Sequence, residues 1–184
     1  MNAADQEFHV KRQTCLGGSD AAAILGKSKW QTDFDVWLAK TGRSKPIEDN
    51  EAMYWGRTLE DIIAREYAQR KGVKIRRRGF IRDKQRPHMG ANLDRVIVGH
   101  EDGPGVLEVK TAGAYTAADW WPDGTDQIPG YYLPQVAHYM AVTGYTWAAV
   151  AVLIGGSDFR TYDSPREDLY IDALVEIEEK WWRD

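Results

Sequence analysis

Two acidic residues and one lysine near the middle of the chain have types and spacing that suit phosphodiester chemistry. Glu108 and Lys110 are two positions apart in the apolar segment 105–111, which predicts a strand with both side chains on one face. Asp94 ends or interrupts an earlier apolar segment, and a hairpin between the two segments would bring it close to Glu108. Two neighbouring carboxylates resist joint ionisation unless a cation lies between them, and Mg²⁺ accepts carboxylates, waters and phosphate oxygens. The pattern predicts a hard divalent metal beside an amine that can orient water or balance phosphate charge.

A simpler interpretation of the Glu108–Lys110 pair is a solvated ion pair on an exposed strand face. Two further carboxylates argue against it. Asp94 stands at hairpin distance, and Glu60 lies on a predicted helix over 55–71. Their combination favours a metal site over an accidental pair.

Helices that could hold these side chains follow from hydrophobic periodicity. Ser19 is a plausible cap for a short helix over 20–25, and Thr32 for a helix over 33–40. Apolar residues at helical spacing predict three longer helices, over 55–71, 131–142 and 166–182.

Strand-like segments alternate with these helices. Apolar runs predict strands over 93–98, 106–110 and 147–154, with 159–162 as a further partner. The segment 43–50 and the segment 112–130, rich in Pro and Gly, are expected to be loops without regular structure. This order favours an α/β (α+β) fold with a mixed central sheet flanked by helices, in a single domain over 1–184.

Composition excludes several classes of protein. The 184 residues are 43% hydrophobic and 28% charged, which excludes a disordered or collagen-like chain. Cys15 is the only cysteine, so the chain cannot form an internal disulfide, a four-cysteine zinc site or a cysteine-held iron–sulfur cluster. Because no apolar run approaches the roughly 20 residues of a membrane span and no secretory signal is visible, a soluble, cytoplasmic protein without a membrane partner is expected.

Charge and aromatic residues add two weaker indications of DNA binding. The net charge is −4, yet the segment 71–86 carries eight basic residues against one acid, including Arg76, Arg77 and Arg78. This segment is either a solvated face or a surface that follows the phosphate backbone. Trp120 and Trp121 in the long loop either stack on an unpaired base or serve loop packing or a subunit contact.

These motifs, in this order, resemble those of a known protein family. Asp94 followed by Glu108-Val109-Lys110 resembles the signature of the PD-(D/E)XK nucleases. Segments 17–26, 55–60, 107–111 and 132–144 narrow the resemblance to the YqaJ-type viral recombinases, the group that includes the lambda exonuclease. The likeness runs from about residue 12 to 182 and implies a restriction-endonuclease-like core. Leu93 stands where the family usually has proline, which concerns the shape of the strand more than its chemistry.

The resemblance also implies roles for individual residues. It implies metal ligation by Asp94, Glu108, the backbone carbonyl of Val109 and, through water, Glu60. Lys110 would serve the attacking water, and Gln135 would position metal-bound water or the DNA backbone.

A 5′-phosphate site is implied by a further pair. Arg12 and Ser19 would bind the 5′-phosphate of a DNA end, because the family places an arginine and a serine seven residues apart there. A guanidinium and a helix N-terminus both favour phosphate, although Ser19 as a plain N-cap and Arg12 as a solvated charge remain open.

By resemblance, the expected activity is a Mg²⁺-dependent 5′-to-3′ exonuclease acting on the ends of linear double-stranded DNA, with Mn²⁺ able to substitute. It would leave 3′ single-stranded tails for phage-type homologous recombination. A ring-shaped homotrimer and a single-strand annealing protein as partner are implied as well. The alternatives are a restriction-like or nicking endonuclease with the same metal site, and a non-catalytic DNA-end-binding recombination protein.

Overall fold

The computed structural model describes residues 10–45 and 48–184, so part of the predicted loop 43–50 lies outside the described residues. The helices that matter for the site are α1 (Gly18–Ile24), α2 (Asp33–Lys40), α3 (Glu51–Lys71), α4 (Leu133–Thr143) and α5 (Asp168–Arg183). The strands are β1 (Lys74–Arg76), β2 (Ile81–Arg82), β3 (Gly90–Ala91), β4 (Arg95–Val98), β5 (Gly105–Ala112), β6 (Trp147–Ile154) and β7 (Asp158–Pro165). No helix among the described residues has the length and apolar character needed to cross a membrane.

A five-stranded mixed sheet forms the centre of the molecule, in the order β1-β4-β5-β6-β7. Strands β5 and β6 are parallel, and the other neighbours are antiparallel. A parallel pair needs a crossover connection, which here contains α4. Strands β2 and β3 form a separate two-stranded ribbon. The predicted mixed sheet flanked by helices is confirmed.

Each face of the sheet has its own core. Even-numbered residues of β6, from Ala148 to Ile154, pack in one cluster with α4 and α5. Odd-numbered residues, from Trp147 to Ala151, pack in a second cluster with Leu107 and Val109 of β5 and the buried side of α3. Because side chains alternate along a strand, Glu108 and Lys110 lie on the face that α4 covers.

The helix boundaries correct three expectations. Ser19 does not cap α1, since Gly17 is the N-cap and its backbone N–H donates to the Asp20 carboxylate at 2.8 Å. Helix α3 begins at Glu51, one turn before the predicted start, where the Asn50 side chain caps it. The expected irregular loop after β5 contains a 3₁₀-helix over Ala114–Asp119. The predicted Thr32 cap of α2 is confirmed.

Helix α1 approaches α4 closely because residue 18 is glycine. A Cβ atom at Gly18 would stand 2.6 Å from Cε1 of Tyr139 and 3.0 Å from the carbonyl oxygen of Gln135. Such distances are far inside van der Waals contact, so any larger residue would push the two helices apart. The absence of this side chain therefore sets Ser19 and the start of α1 beside Gln135.

Candidate active site

The β4–β5 hairpin brings the two predicted carboxylates together. Arg95 pairs with Leu107 and Val96 with Val106, and one further step in this register places Asp94 opposite Glu108. Directly opposite residues of antiparallel strands share a face of the sheet. Asp94 Oδ2 also accepts a hydrogen bond of 2.8 Å from the backbone N–H of Val109, which fixes the carboxylate against β5. The structure thus unites residues that are 14 positions apart.

Glu108 is buried but only half satisfied. The residue is 2% exposed, and its Oε1 atom accepts from Lys110 Nζ at 2.6 Å and from Gln135 Nε2 at 2.6 Å. Its Oε2 atom is buried without a hydrogen-bond partner among the described residues. Leaving an acceptor of an ionised group unpaired inside a protein is costly, so such an atom calls for an explanation.

Helix α4 supplies the neighbours of the lysine. Gln135 Oε1 accepts from Lys110 Nζ at 3.1 Å, and Gln135 Nε2 donates to the hydroxyl of Tyr139, one turn further along, at 3.0 Å. The ammonium group also lies 4.7 Å from the ring centroid of Tyr132. Lys110 is therefore held in place from two elements. Tyr132 and Tyr139 were not predicted as site residues, because aromatic residues on a helix are indistinguishable from core residues in the sequence.

The electrostatics of the cluster favour a cation. Burial, and then the charge of Glu108, raise the pKa of Asp94 well above its ordinary value. Burial alone would lower the pKa of Lys110, but the neighbouring carboxylates of Glu108 and Asp94 raise it above its ordinary value. The lysine therefore stays charged near neutral pH. A dication beside Asp94 would favour its ionised form, the opposite of the effect that Glu108 has.

The donor set fits a hard dication that retains much of its hydration. The N–H and C=O groups of a paired strand residue point to the same edge, so the Val109 carbonyl faces the Asp94 side of β5. Two carboxylates and one carbonyl suit Mg²⁺, which usually keeps several waters. No group of three or more His, Cys, Asp or Glu side chains in the described part of the chain could hold a metal. The protein therefore supplies fewer oxygen ligands than a site in which every metal ligand comes from the protein.

Glu60 reaches the edge of the site, where it is engaged by an arginine. Arg95 is 4% exposed, and its guanidinium donates to Glu60 Oε1 at 2.6 Å and to Asp61 Oδ1 at 2.9 Å. It also donates to the backbone carbonyl of Asp94. Arg95 thus links the carboxylate-bearing turn of α3 to the metal-ligand candidate next to it. No sequence pattern marked this arginine.

Arg12 and Ser19 meet as predicted. Arg12 Nη2 donates to Ser19 Oγ at 3.1 Å, and both residues line a cavity of about 170 Å³ that Asp94 and Tyr139 also line. We call it the Arg12 cavity.

A buried lysine supports this arrangement from α2. Lys40 Nζ donates to the backbone carbonyl of Arg12 at 2.8 Å and to Asp20 Oδ2 at 2.6 Å. These bonds tie the segment that bears Arg12 to the start of α1. Lys40 was not predicted as a site residue.

A second cavity, of about 270 Å³, shares Gly18 and Ser19 with the Arg12 cavity. Its lining residues include Ser19, Trp30, Lys110, Tyr131, Tyr132 and Gln135. We call it the aromatic cavity. Lys110 and Gln135, which both donate to Glu108, line it, whereas Asp94 lines the Arg12 cavity, so both cavities adjoin the candidate metal site. Trp30 carried no signal in the sequence, because it stands alone between two short helices.

The remaining predicted residues lie elsewhere. Arg76, Arg77 and Arg78 are exposed at and after β1, so their contact with DNA stays a prediction. Trp120 is 4% exposed and packs in the core against Tyr132 and Tyr162. A role for Trp120 in stacking on a base is therefore wrong for this structure, and loop packing is its role. Trp121 is 44% exposed.

Comparison with known proteins agrees with the resemblance seen in the sequence. Residues 7–146 match the YqaJ-like viral recombinase domain. The uncharacterized protein YqaJ of Bacillus subtilis (strain 168) is 41% identical over 182 residues, which cover 97% of this chain. The chain spans 55% of the length of that relative.

Solved structures match the fold at low sequence identity. An alkaline exonuclease (LHK-Exo) from Laribacter hongkongensis superimposes with a TM-score of 0.78 at 18% identity, covering 97% of this chain and 91% of that one. Its complex with dAMP gives a TM-score of 0.74 at 17% identity, with the same coverage. A phage related exonuclease from Haemophilus somnus 129PT gives a TM-score of 0.60 at 14% identity, covering 91% and 93%. The expected restriction-endonuclease-like fold is confirmed.

Proposed function

Since the chain belongs to the YqaJ-like viral recombinase domain family, we propose that it is a Mg²⁺-dependent exonuclease of linear duplex DNA. It removes nucleotides from the 5′ end and leaves 3′ single-stranded tails for phage-type recombination. The observation that carries the proposal is the pairing of Asp94 with Glu108, whose Oε2 atom is buried without a partner among the described residues. Such an anionic pocket beside a fixed ammonium group suits a metal-dependent phosphodiesterase.

The residues divide the work in the following way. Asp94, Glu108 and the Val109 carbonyl would hold the metal, which when bound polarises a phosphodiester and lowers the pKa of a bound water. Lys110 orients the attacking water or offsets charge on the phosphate. Gln135 holds the side chains of Lys110 and Glu108 in position, because it accepts a hydrogen bond from the first and donates one to the second.

Glu60 acts from the edge of the site. Its carboxylate would hold water near the metal, while Arg95 fixes its orientation through a bond of 2.6 Å.

Exonuclease action is preferred to endonuclease action for two reasons. Three of the solved neighbours are named as exonucleases, and one of these was solved with dAMP, a mononucleotide. The Arg12 cavity also offers a guanidinium and a hydroxyl for a terminal phosphate next to Asp94. A phosphate held there would place the adjoining bond of the strand near the carboxylates.

Oligomerisation and partners are proposed on weaker grounds. Helices α2 and α3 expose large apolar side chains, which are Phe34, Trp37, Met53, Tyr54, Trp55 and Ile62. Phe34 contacts Trp37 and Tyr54 contacts Trp55, and exposed apolar side chains that cluster in this way are typical of protein contacts. They support the homotrimer implied by the resemblance, which sedimentation would test by a mass of three chains rather than one. A single-strand annealing protein that binds the 3′ tail is the proposed partner.

A cleavage assay tests the proposed function. Linear duplexes labelled at the 5′ or 3′ terminus, together with closed circular DNA, are incubated with Mg²⁺ or with a chelator. We expect release of the 5′ label as mononucleotide, an intact circle and no reaction with the chelator. Lys110→Ala should abolish cleavage but retain DNA binding, whereas Lys180→Ala, which removes an exposed lysine of α5, should behave as wild type.

Each alternative has its own result in this assay. Cleavage of closed circles would favour the endonuclease. Binding to DNA ends without cleavage by wild type would favour the non-catalytic protein. First release of the 3′ label would leave a nuclease but refute the proposed polarity.

The terminal phosphate has a separate test. Arg12→Ala should reduce the preference of the enzyme for 5′-phosphate over 5′-hydroxyl ends by about 10- to 100-fold, the range for a lost charged hydrogen bond. Arg65→Ala, which removes an exposed arginine of α3, is the control. Equal digestion of both substrates by wild type would refute end recognition.

A further inference from the structure

Trp30 is an exposed aromatic residue that is nevertheless held in one orientation. It is 66% exposed, yet its ring stacks on Tyr132 with centroids 5.6 Å apart and meets Tyr131 edge-on at 5.3 Å. Lys29 lies 4.3 Å from the Tyr131 ring centroid and pairs with Asp119 at 2.7 Å, which fixes the same corner from the 3₁₀-helix. A large ring that is fixed but not buried presents a preformed flat surface to a ligand.

The position of this surface indicates what the ligand is. Trp30, Lys110 and Gln135 line the aromatic cavity, which shares Ser19 with the Arg12 cavity. Gln31 Nε2 donates to the Ser19 carbonyl at 3.0 Å, which ties the segment bearing Trp30 to the start of α1. A nucleotide with its phosphates in the Arg12 cavity and beside Lys110 would thus have its base within reach of the aromatic rings.

We propose that the aromatic cavity binds the unpaired base of the terminal nucleotide of the cleaved strand, stacked on Trp30. This inference rests on the proposed function and names the part of the substrate that the aromatic wall recognises. Aromatic side chains stack on any base with little sequence preference, so the cavity serves an enzyme that must accept every nucleotide. A base must leave its pair to enter the cavity, and frayed or mismatched ends would therefore bind best.

Nucleotide binding tests the proposal without cleavage. The fluorescent nucleotide 2-aminopurine deoxyribonucleoside 5′-monophosphate is titrated with wild type, and deoxyribose 5-phosphate, which lacks the base, competes with it. We expect the base to improve affinity by about 5- to 100-fold and its fluorescence to be quenched by stacking. Equal affinity of wild type for the two compounds would overturn the proposal, and this comparison needs no variant.

Variants locate the effect. Trp30→Ala should remove the advantage of the base, and Trp30→Phe should retain most of it, because phenylalanine keeps a stacking face. Tyr115→Ala is the control, since Tyr115 is an exposed aromatic residue that lines neither cavity. An unchanged advantage in Trp30→Ala would place the base elsewhere and refute the proposal.

A cleavage comparison separates this proposal from the proposed function. Two linear duplexes carry a 5′-phosphate on either a normal or an abasic terminal nucleotide. We expect the abasic end to raise KM for removal of the first nucleotide by about 5- to 100-fold. Equal KM values would refute the base site and leave the nuclease standing. Failure to cleave either duplex would refute the nuclease, and the binding measurement would still decide the base site.

Discussion

Two glutamates of this molecule are equally buried and differently satisfied. Glu178 of α5 is 0% exposed, and both of its oxygens lie 2.9 Å from His138 Nδ1, while Nε2 of that histidine lies 2.9 Å from the Gly90 carbonyl. Glu108 is 2% exposed, and one of its oxygens has no partner among the described residues. The first carboxylate joins α4, α5 and β3 as part of the core. The second carboxylate keeps one oxygen atom that a bound cation could contact.

The comparison teaches that burial alone does not identify a functional carboxylate. Both ring nitrogens of His138 face oxygen atoms, and Glu178 and the Gly90 carbonyl raise the pKa of the ring, which favours the imidazolium that donates from both nitrogens. In that form the positive charge of His138 balances the negative charge of Glu178 inside the core. Around Glu108 the single ammonium of Lys110 faces two carboxyl groups, Asp94 included. Burial and Glu108 raise the pKa of Asp94, so the cluster gains its second negative charge when a cation binds and favours the ionised form of Asp94.

The largest expected effect is on catalysis. Asp94→Asn and Glu108→Gln should each lower the cleavage rate by about 1000-fold or more, because each removes a charged oxygen from the proposed metal site. Thermal unfolding of Asp94→Asn should occur at the same or a higher temperature, since burial and Glu108 disfavour the charge of Asp94. Glu108→Gln should unfold at a lower temperature, because it leaves the buried ammonium of Lys110 without its paired carboxylate. Retained cleavage by Glu108→Gln would show that Glu108 is not a functional carboxylate, and retained cleavage by Asp94→Asn would remove Asp94 from the proposed metal site.

The next effect is on stability. His138→Leu leaves Glu178 buried without its partner and should cost about 3–5 kcal/mol of unfolding free energy. The double variant His138→Leu/Glu178→Leu should recover most of this loss, because apolar residues of similar size replace the pair. Urea unfolding measures both. A single variant as stable as wild type would show that the pair is not what stabilises the contact between α4 and α5.

A smaller effect is expected at Arg95, which lies between core and site. Arg95→Lys keeps the charge but loses the fork that reaches Glu60 and Asp61 together. The cleavage rate should fall by about 10- to 100-fold, the range for residues that orient metal-site groups. Metal affinity should fall with the rate. Arg65→Lys, on the exposed side of α3, should change neither.

The smallest effect concerns pH. Burial alone would lower the pKa of His138, but the charge of Glu178, its hydrogen bond and the Gly90 carbonyl raise it above the ordinary value of about 6.5. The stabilisation is therefore complete below that ordinary value and is lost as pH rises through the raised pKa. Unfolding free energy should decline in this window by at most about 1.4 kcal/mol per pH unit. The double leucine variant should lack this decline.

Much of the fold was predictable because the pattern is local. An apolar run predicted strand β6, and helical spacing with the Thr32 cap predicted helix α2, both with the observed boundaries. The approach of Asp94 to Glu108 followed from a hairpin between adjacent segments. The start of α1 was missed because glycine at an N-cap offers no side-chain signal. There the Asp20 side chain does the capping from the third helical position.

The rest depends on contacts that no local pattern encodes. His138 and Glu178 are 40 positions apart, and Arg95 meets Glu60 from 35 positions away. Apart from Glu60, none of these residues stands out in its own segment. Trp120 and Trp121 show the same limit at short range, because nothing in an irregular loop tells which of two neighbours turns to the core. Contacts between side chains that are far apart in the sequence can be found only from the structure.

Metal binding tests the central claim most directly. Isothermal titration with Mn²⁺, which should substitute for Mg²⁺, compares wild type, Asp94→Asn/Glu108→Gln and His138→Leu/Glu178→Leu. The account predicts binding to wild type and to the folded leucine variant, and none to Asp94→Asn/Glu108→Gln. Equal binding by all three proteins, or none by wild type, would contradict the claim that the unpaired oxygen of Glu108 is kept for a dication.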